Sequence, residues 1–227
     1  MHKLFPIAEL IKELLELEFK VEATYGFEAN QEWLLNVPDR NLYNDFWEDI
    51  TVVYNKLIDN RWTLNDKIDN LGNNLINRMA KIDIWFNEPY NFICEFDEEQ
   101  HFNQFRFITL EYGYHDLNVA FDLNLYRELS SRRIINPSVS GFVKLRNDNF
   151  LFPEMYDGIN QDNRVRQRAF RDYIKDIVPI KLRYNPTLRI SYKVTNNHIN
   201  NFTEDDINKV KYYLYTNEVF SKIKLTQ

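Results

Sequence analysis

Cysteine, glycine and long apolar runs are all scarce in this 227-residue chain. Cys94 stands alone, which excludes an internal disulfide framework and a cysteine-based zinc site. With five glycines in the whole chain, no phosphate-cradling Walker loop, nucleophile elbow or dinucleotide fingerprint is present. No apolar stretch approaches the roughly 20 residues of a membrane span, so no membrane partner is expected. The N-terminal stretch MHKLFPIAELIKELLELEF is rich in Glu and lacks a small-residue cleavage site. It is therefore not read as a secretory signal, and a reducing cytoplasm is the expected location.

Aromatic and charged residues are what the chain has in quantity. Its 17 Phe, 14 Tyr and 4 Trp sit within a hydrophobic fraction of 44%, enough to bury a sizeable core and too much for wholesale disorder. The length predicts one domain over residues 1–227. Within it, a mainly helical part covers 1–77, a sheet core covers 78–195, and a last helix lies in 196–227. The net charge of −6 is unevenly spread. Residues 1–119 hold 10 Lys and Arg against 22 Asp and Glu, whereas residues 120–200 hold 14 against 8. A basic surface beside an acidic one suits a phosphate-bearing partner, the alternative being scattered solvated charge.

Ile7, Leu10, Ile11, Leu14 and Leu15 follow helical spacing and predict an amphipathic helix over 7–22. Phe46, Ile50, Val53 and Leu57 predict another over about 43–59. Eight Asn or Asp between Asn60 and Asn77 read as loop and turns. Arg78–Phe86 and Tyr90–Asp97 read as strands joined by a turn at Asn87-Glu88-Pro89. Asp97 with Gln100 has the form of a capping box opening a helix towards Leu110. Further helices are expected over 118–130, from Asp162 to Ile177, and after Thr203. Strands are expected within 138–152, at Ile180–Tyr184 and at Leu188–Val194. The fold class is mixed α/β with a central sheet.

The densest chemistry is in KIDIWFNEPYNFICEFDEEQHF, residues 81–102. On strands, Glu95 and Asp97 share one face, as do Lys81 and Asp83 on the preceding strand. If the strands pair, Asp83, Glu95 and Asp97 converge, and three adjacent carboxylates raise one another's pKa unless a cation neutralises them. Oxygen donors suit Mg²⁺ or Mn²⁺, which would assist phosphodiester hydrolysis. The alternative is structural: Asp97 caps a helix, and Glu98 and Glu99 favour its dipole.

An Asp on one strand followed across a hairpin by E-x-(D/E/K) resembles the core of the PD-(D/E)XK nucleases. The run Glu95-Phe96-Asp97-Glu98-Glu99-Gln100-His101-Phe102 is similar to the acidic strand end and Q-H pair of very-short-patch-repair-type endonucleases. The order that follows, an Arg-rich helix DNRVRQRAFRDYIKDI and then VPIKLRY, extends the likeness over about 78–190. This resemblance implies a restriction-endonuclease-like mixed sheet flanked by helices, with Asp83, Glu95 and Asp97 at the metal. It also implies Gln100 and His101 in the catalytic constellation. The chain departs from the pattern at Ile82, where the motif has Pro, and at Asp97, where it commonly has Lys. Lys81 is the alternative residue for orienting the attacking water.

Arg164, Arg168, Arg171 and Lys175 follow i, i+4, i+7, i+11 and form one helical stripe opposite Val165, Ala169, Phe170, Tyr173 and Ile177. Such a stripe tracks a phosphate backbone or faces water. Arg166 falls on the apolar side, where it needs a carboxylate or phosphate partner. Lys181, Arg183, Arg189 and Lys193 extend the basic character. The expected activity is metal-dependent endonucleolytic cleavage of double-stranded DNA, restriction-like or defensive, with a homodimer expected by analogy. The runner-up is a nucleic-acid-binding or regulatory protein that keeps the nuclease fold without turnover.

Overall fold

The computed structural model describes residues 12, 13, 16, 17, 20, 22–25, 31–70, 79–132, 150–153, 162–193, 205, 208, 209 and 212. Its centre is a four-stranded mixed sheet in the order β1 (Ala23–Tyr25), β2 (Ile84–Phe86), β3 (Phe92–Asp97), β4 (Leu188–Ser191). β1 and β2, and β2 and β3, pair antiparallel, whereas β3 and β4 run parallel. The β2–β3 hairpin matches the sequence expectation, with Ile84 opposite Cys94 and Phe86 opposite Phe92. Its loop is closed by the Tyr90 and Asn91 amides, both donating to the Asn87 carbonyl at 3.2 Å. Strand β1 was not anticipated from the sequence; it follows directly on the region expected to be helical. Lys12, Glu13, Glu16 and Leu17 are helical, and the rest of that stretch lies outside the described residues.

Strand alternation sorts the sheet into two buried faces. Trp85 and Ile93 join the core made with the helices, while Ile84, Phe86, Cys94, Phe96 and Ile190 are buried on the other side. The parallel β3–β4 pair needs a long crossover, and it carries α3 (Gln104–Tyr112), α4 (Leu123–Ser131) and α5 (Asn163–Lys181). Ahead of the hairpin lie α1 (Trp47–Leu57) and the short α2 (Leu64–Asp69). Helix α2 corrects the expectation of loop over 60–77. Thr63 and Asp66 form a capping box there, with the Thr63 side chain accepting from the Asp66 amide and the Asp66 side chain from the Thr63 amide. Residues 71–78 lie outside the described residues.

Two further expectations change for local reasons. Asp97 does not cap a helix: it ends β3, a 3-10 turn covers Glu99–His101, and Asn103 caps α3 by accepting from the Phe105 and Arg106 amides. The alternating run Ile180–Tyr184 is not a strand. Helix α5 continues to Lys181, and then the Arg183 amide donates to the Ile180 carbonyl and the Tyr184 amide to the Pro179 carbonyl. This double closure, with Arg183 left-handed at φ 68, is a Schellman ending. Pro179 lacks the N–H that would bond the Lys175 carbonyl, and the Thr187 hydroxyl donates to it instead at 2.6 Å. The expected helix after Thr203 is helical at Asp205, Asn208, Lys209 and Tyr212. The strand expected within 138–152 falls outside the described residues up to 149, and residues 150–152 are not in a strand.

Candidate functional site

Asp83 and Glu95 meet across the β2–β3 hairpin. Glu95 Oε1 accepts from the Asp83 amide at 3.1 Å, and Asp83 Oδ2 accepts from the Phe96 amide at 3.0 Å. The backbone therefore holds each carboxylate at the other's position. Helix α5 crosses this face of the sheet and delivers Lys175, whose Nζ donates to Glu95 Oε2 at 2.5 Å. Burial pushes Glu95 up to about 7 even with Lys175 alongside, and Asp83 pushes in the same direction. Burial lowers Lys175, but Glu95, Asp172 and Asp83 outweigh it and raise its pKa. Two carboxylates facing one ammonium leave a surplus negative charge, and an oxygen-lined site with such a surplus suits a hard divalent cation.

Asp97 reaches a second cluster of side chains, one that includes His101 and Asp172. Register puts Arg189 of β4 opposite Glu95 on the same face. From there Arg189 Nη1 donates to Asp97 Oδ1 at 2.7 Å and Oδ2 at 2.9 Å. Tyr126 Oη adds a hydrogen bond to Oδ2 at 2.8 Å. Arg189 also pairs with Asp176 at 2.6 Å, and Asp176 in turn holds Arg106 at 2.9 Å and the Tyr114 hydroxyl. His101 Nδ1 lies 2.8 Å from Asp172 and 3.3 Å from Asp97.

The ligand atoms of Asp97, His101 and Asp172 fall within 4.8 Å of one another, a spacing also compatible with an ion. A proton on His101 balances the same charges. Asp97, Asp172 and Asp176 face Arg106 and Arg189, and a protonated His101 brings the cluster to neutrality. Burial works against a charged His101, but Asp172 and Asp97 outweigh it and raise its pKa. Burial likewise opposes the Asp172 carboxylate, yet His101 and Arg189 hold it well below the ordinary range. Asp97 is lowered by Arg189 and His101 against the same penalty. Both Asp97 oxygens accept from protein donors, as both Glu95 oxygens do.

The basic stripe is present on α5 but does less uniform work than its spacing suggests. Lys175 is turned onto Glu95, so it is not a free backbone-tracking cation. Arg166 is buried, paired with Asp162 at 2.8 and 2.9 Å, bonded to the Leu57 carbonyl and stacked 4.2 Å from the Phe105 ring centroid. These contacts make it a packing residue. Lys181 pairs with Asp49 of α1 at 2.8 Å, and Arg183 is exposed just past the helix end. Arg164, Arg168 and Arg171 remain half-buried along one ridge. Lys81 is exposed and makes no ion pair with Asp83. Gln100 is half-buried, and its carbonyl accepts from Arg168 at 3.1 Å.

Sequence reasoning missed Lys175 as a partner of Glu95, and it missed the Arg189–Asp176–Arg106 network entirely. One signal was available. Asp172 and Asp176 stand at i, i+4 beside the apolar positions Tyr173 and Ile177, and acids so placed require buried cations. Among the described residues no helix is long and apolar enough to cross a membrane. No protein-family model, curated protein or solved structure matches the chain.

Proposed function

We propose that the chain is a divalent-metal-dependent DNA endonuclease, restriction-like or defence-related, in which Asp83 and Glu95 hold the ion. The observation that supports this most is the Lys175 ammonium on Glu95, beside a second carboxylate from the adjacent strand. The nuclease motif that this chain resembles carries a Lys where Asp97 stands, and α5 supplies a lysine to the same acidic pair from outside the motif. The donor set fits Mg²⁺ or Mn²⁺: the ligands are carboxylate oxygens, and burial with a like-charged neighbour holds Glu95 near neutrality until positive charge arrives. When bound, such an ion opposes the charge of the phosphate and makes nearby water more acidic.

The chain's own groups do the rest. Lys175 donates to the oxygen of the attacking water and stabilises the hydroxide character that develops on it. Glu95 keeps Lys175 charged and aimed. Water passes a proton to bulk solvent, its oxygen bonds to phosphorus, the ester P–O bond breaks, and the departing oxygen takes up a proton from solvent. Asp97, with Arg189 and His101, holds β3, β4 and α5 in register beneath the pair. Gln100 and His101 act as positioning residues at the turn that follows β3. The test is incubation of the purified protein with phage genomic DNA in Mg²⁺, Mn²⁺ or EDTA, with mapping of the ends. Metal-dependent cutting lost in Glu95→Ala supports the reading. Binding without cutting in either metal overturns it and leaves a non-catalytic binding protein.

A further inference from the structure

Three of the stripe's cations remain once Lys175 is assigned to Glu95, and they are not equivalent. Arg168 donates to the Gln100 carbonyl at 3.1 Å, and Arg164 donates to Gln167 Oε1 at 2.8 Å. Arg171 is half-buried, yet among the described residues its guanidinium makes no hydrogen bond or ion pair. Burial lowers its pKa to about 10, Arg164 adds to the effect, and Asp172 only partly opposes it. Two guanidiniums side by side, with no acceptor for Arg171 among the described residues, repel each other in the free protein. An anion that accepts two parallel N–H bonds reverses it, and phosphate has that geometry.

We infer that Arg171, flanked by Arg164 and Arg168, is the receptor for one phosphate of the bound strand other than the phosphate attacked at Asp83 and Glu95. Arg171 precedes Lys175 by one helical turn, about 6 Å along the axis. Phosphates of one strand recur every roughly 3.4 Å of duplex axis, so the phosphate held here is a near neighbour of the reacting one. Arg168 anchors the ridge to the turn carrying Gln100 and His101, which keeps the receptor in fixed relation to the acidic pair. That the strand is DNA rests on the proposed function; that the ligand is a phosphate rests on Arg171 itself.

The experiment measures binding of a short DNA duplex of mixed sequence in EDTA, so that cleavage plays no part, for the wild type, Arg171→Gln and Arg171→Lys across a salt series. Arg171→Gln is expected to bind about tenfold more weakly and to lower the log–log salt slope by roughly 0.9, one phosphate contact. Arg171→Lys is expected to keep the slope and lose part of the affinity, because charge is retained and the fork is not. A melting temperature for Arg171→Gln no lower than the wild type's is expected, since no hydrogen bond or ion pair among the described residues is removed. An unchanged slope and affinity in Arg171→Gln overturns the inference, as does a wild type that does not bind the duplex. An Arg171-dependent slope in a protein that never cuts DNA sustains the inference while refuting the endonuclease.

Discussion

The ammonium of Lys175 lies 2.5 Å from Oε2 of Glu95, bridging helix α5 to strand β3. The two residues are 80 positions apart, and the contact carries the first prediction. Lys175→Met is expected to lower the single-turnover cleavage rate by about 10²-fold or more at saturating metal, the range of a positioned polar group. Lys175→Arg restores little, because a planar fork does not reproduce a compact ammonium. Lys81→Ala stays near the wild-type rate. A large loss at Lys81 with none at Lys175 would return the role to the exposed lysine.

Metal binding should register in stability without any substrate. Mg²⁺ or Mn²⁺ at about 100 times its dissociation constant stabilises the folded state by about 2.7 kcal/mol, a rise of roughly 5–10 °C in melting temperature for a chain of this size. Asp83→Asn and Glu95→Gln lose that shift. Burial raises Glu95 from its ordinary 4.5 to about 7, so its contribution to metal-free stability is full below 4.5 and is lost as pH rises through 7. Metal has to displace that proton, and the thermal shift is therefore expected to grow between pH 6 and pH 8. A shift unchanged over this range would separate the metal from Glu95.

Asp97 gives an outcome opposite in sign to a ligand in a repelling carboxylate cluster. Were it such a ligand, Asp97→Asn would stabilise the metal-free protein. In the structure it faces Arg189, and removing its charge leaves that guanidinium buried with less compensation. A loss of about 3–5 kcal/mol is expected in denaturant unfolding. Replacing Asp97 and Arg189 together by apolar residues of similar size should recover part of it.

His101 predicts a pH dependence of its own. Its folded-state pKa is raised above the ordinary 6.5 because Asp172 and Asp97 outweigh burial. The stability it contributes is complete below 6.5 and is lost as pH climbs through the raised value. The wild type should therefore exceed His101→Gln in melting temperature most clearly near pH 6, and the gap should close in alkaline buffer. A gap that widens with pH would mean the imidazole is neutral in the fold.

How much of this was legible in the sequence depends on the range of the interaction concerned. The period-2 alternation of Ile82–Phe86 and Phe92–Asp97, with turn residues between them, was enough for the hairpin and hence for the meeting of Asp83 and Glu95. The helical stripe of Arg164, Arg168, Arg171 and Lys175 was equally local, and these are among the few α5 positions left only partly buried. Boundaries were harder. Ile180–Tyr184 alternates as a strand does but ends a helix, because the Schellman closure and the Thr187 hydroxyl meet backbone needs that alternation does not see.

What each charged side chain faces was decided by tertiary structure alone. Period and spacing put Glu95, Asp97 and Lys175 on the correct faces of their own elements, but a face does not name its partner. Parallel pairing of β4 with β3 brought Arg189 to Asp97 across 92 residues, and the passage of α5 over the same strands brought Lys175 to Glu95. A buried charge is stable only with its counter-charge in contact. The sequence therefore determined that these acids and bases had to be matched, and the long-range packing determined which acid took which base.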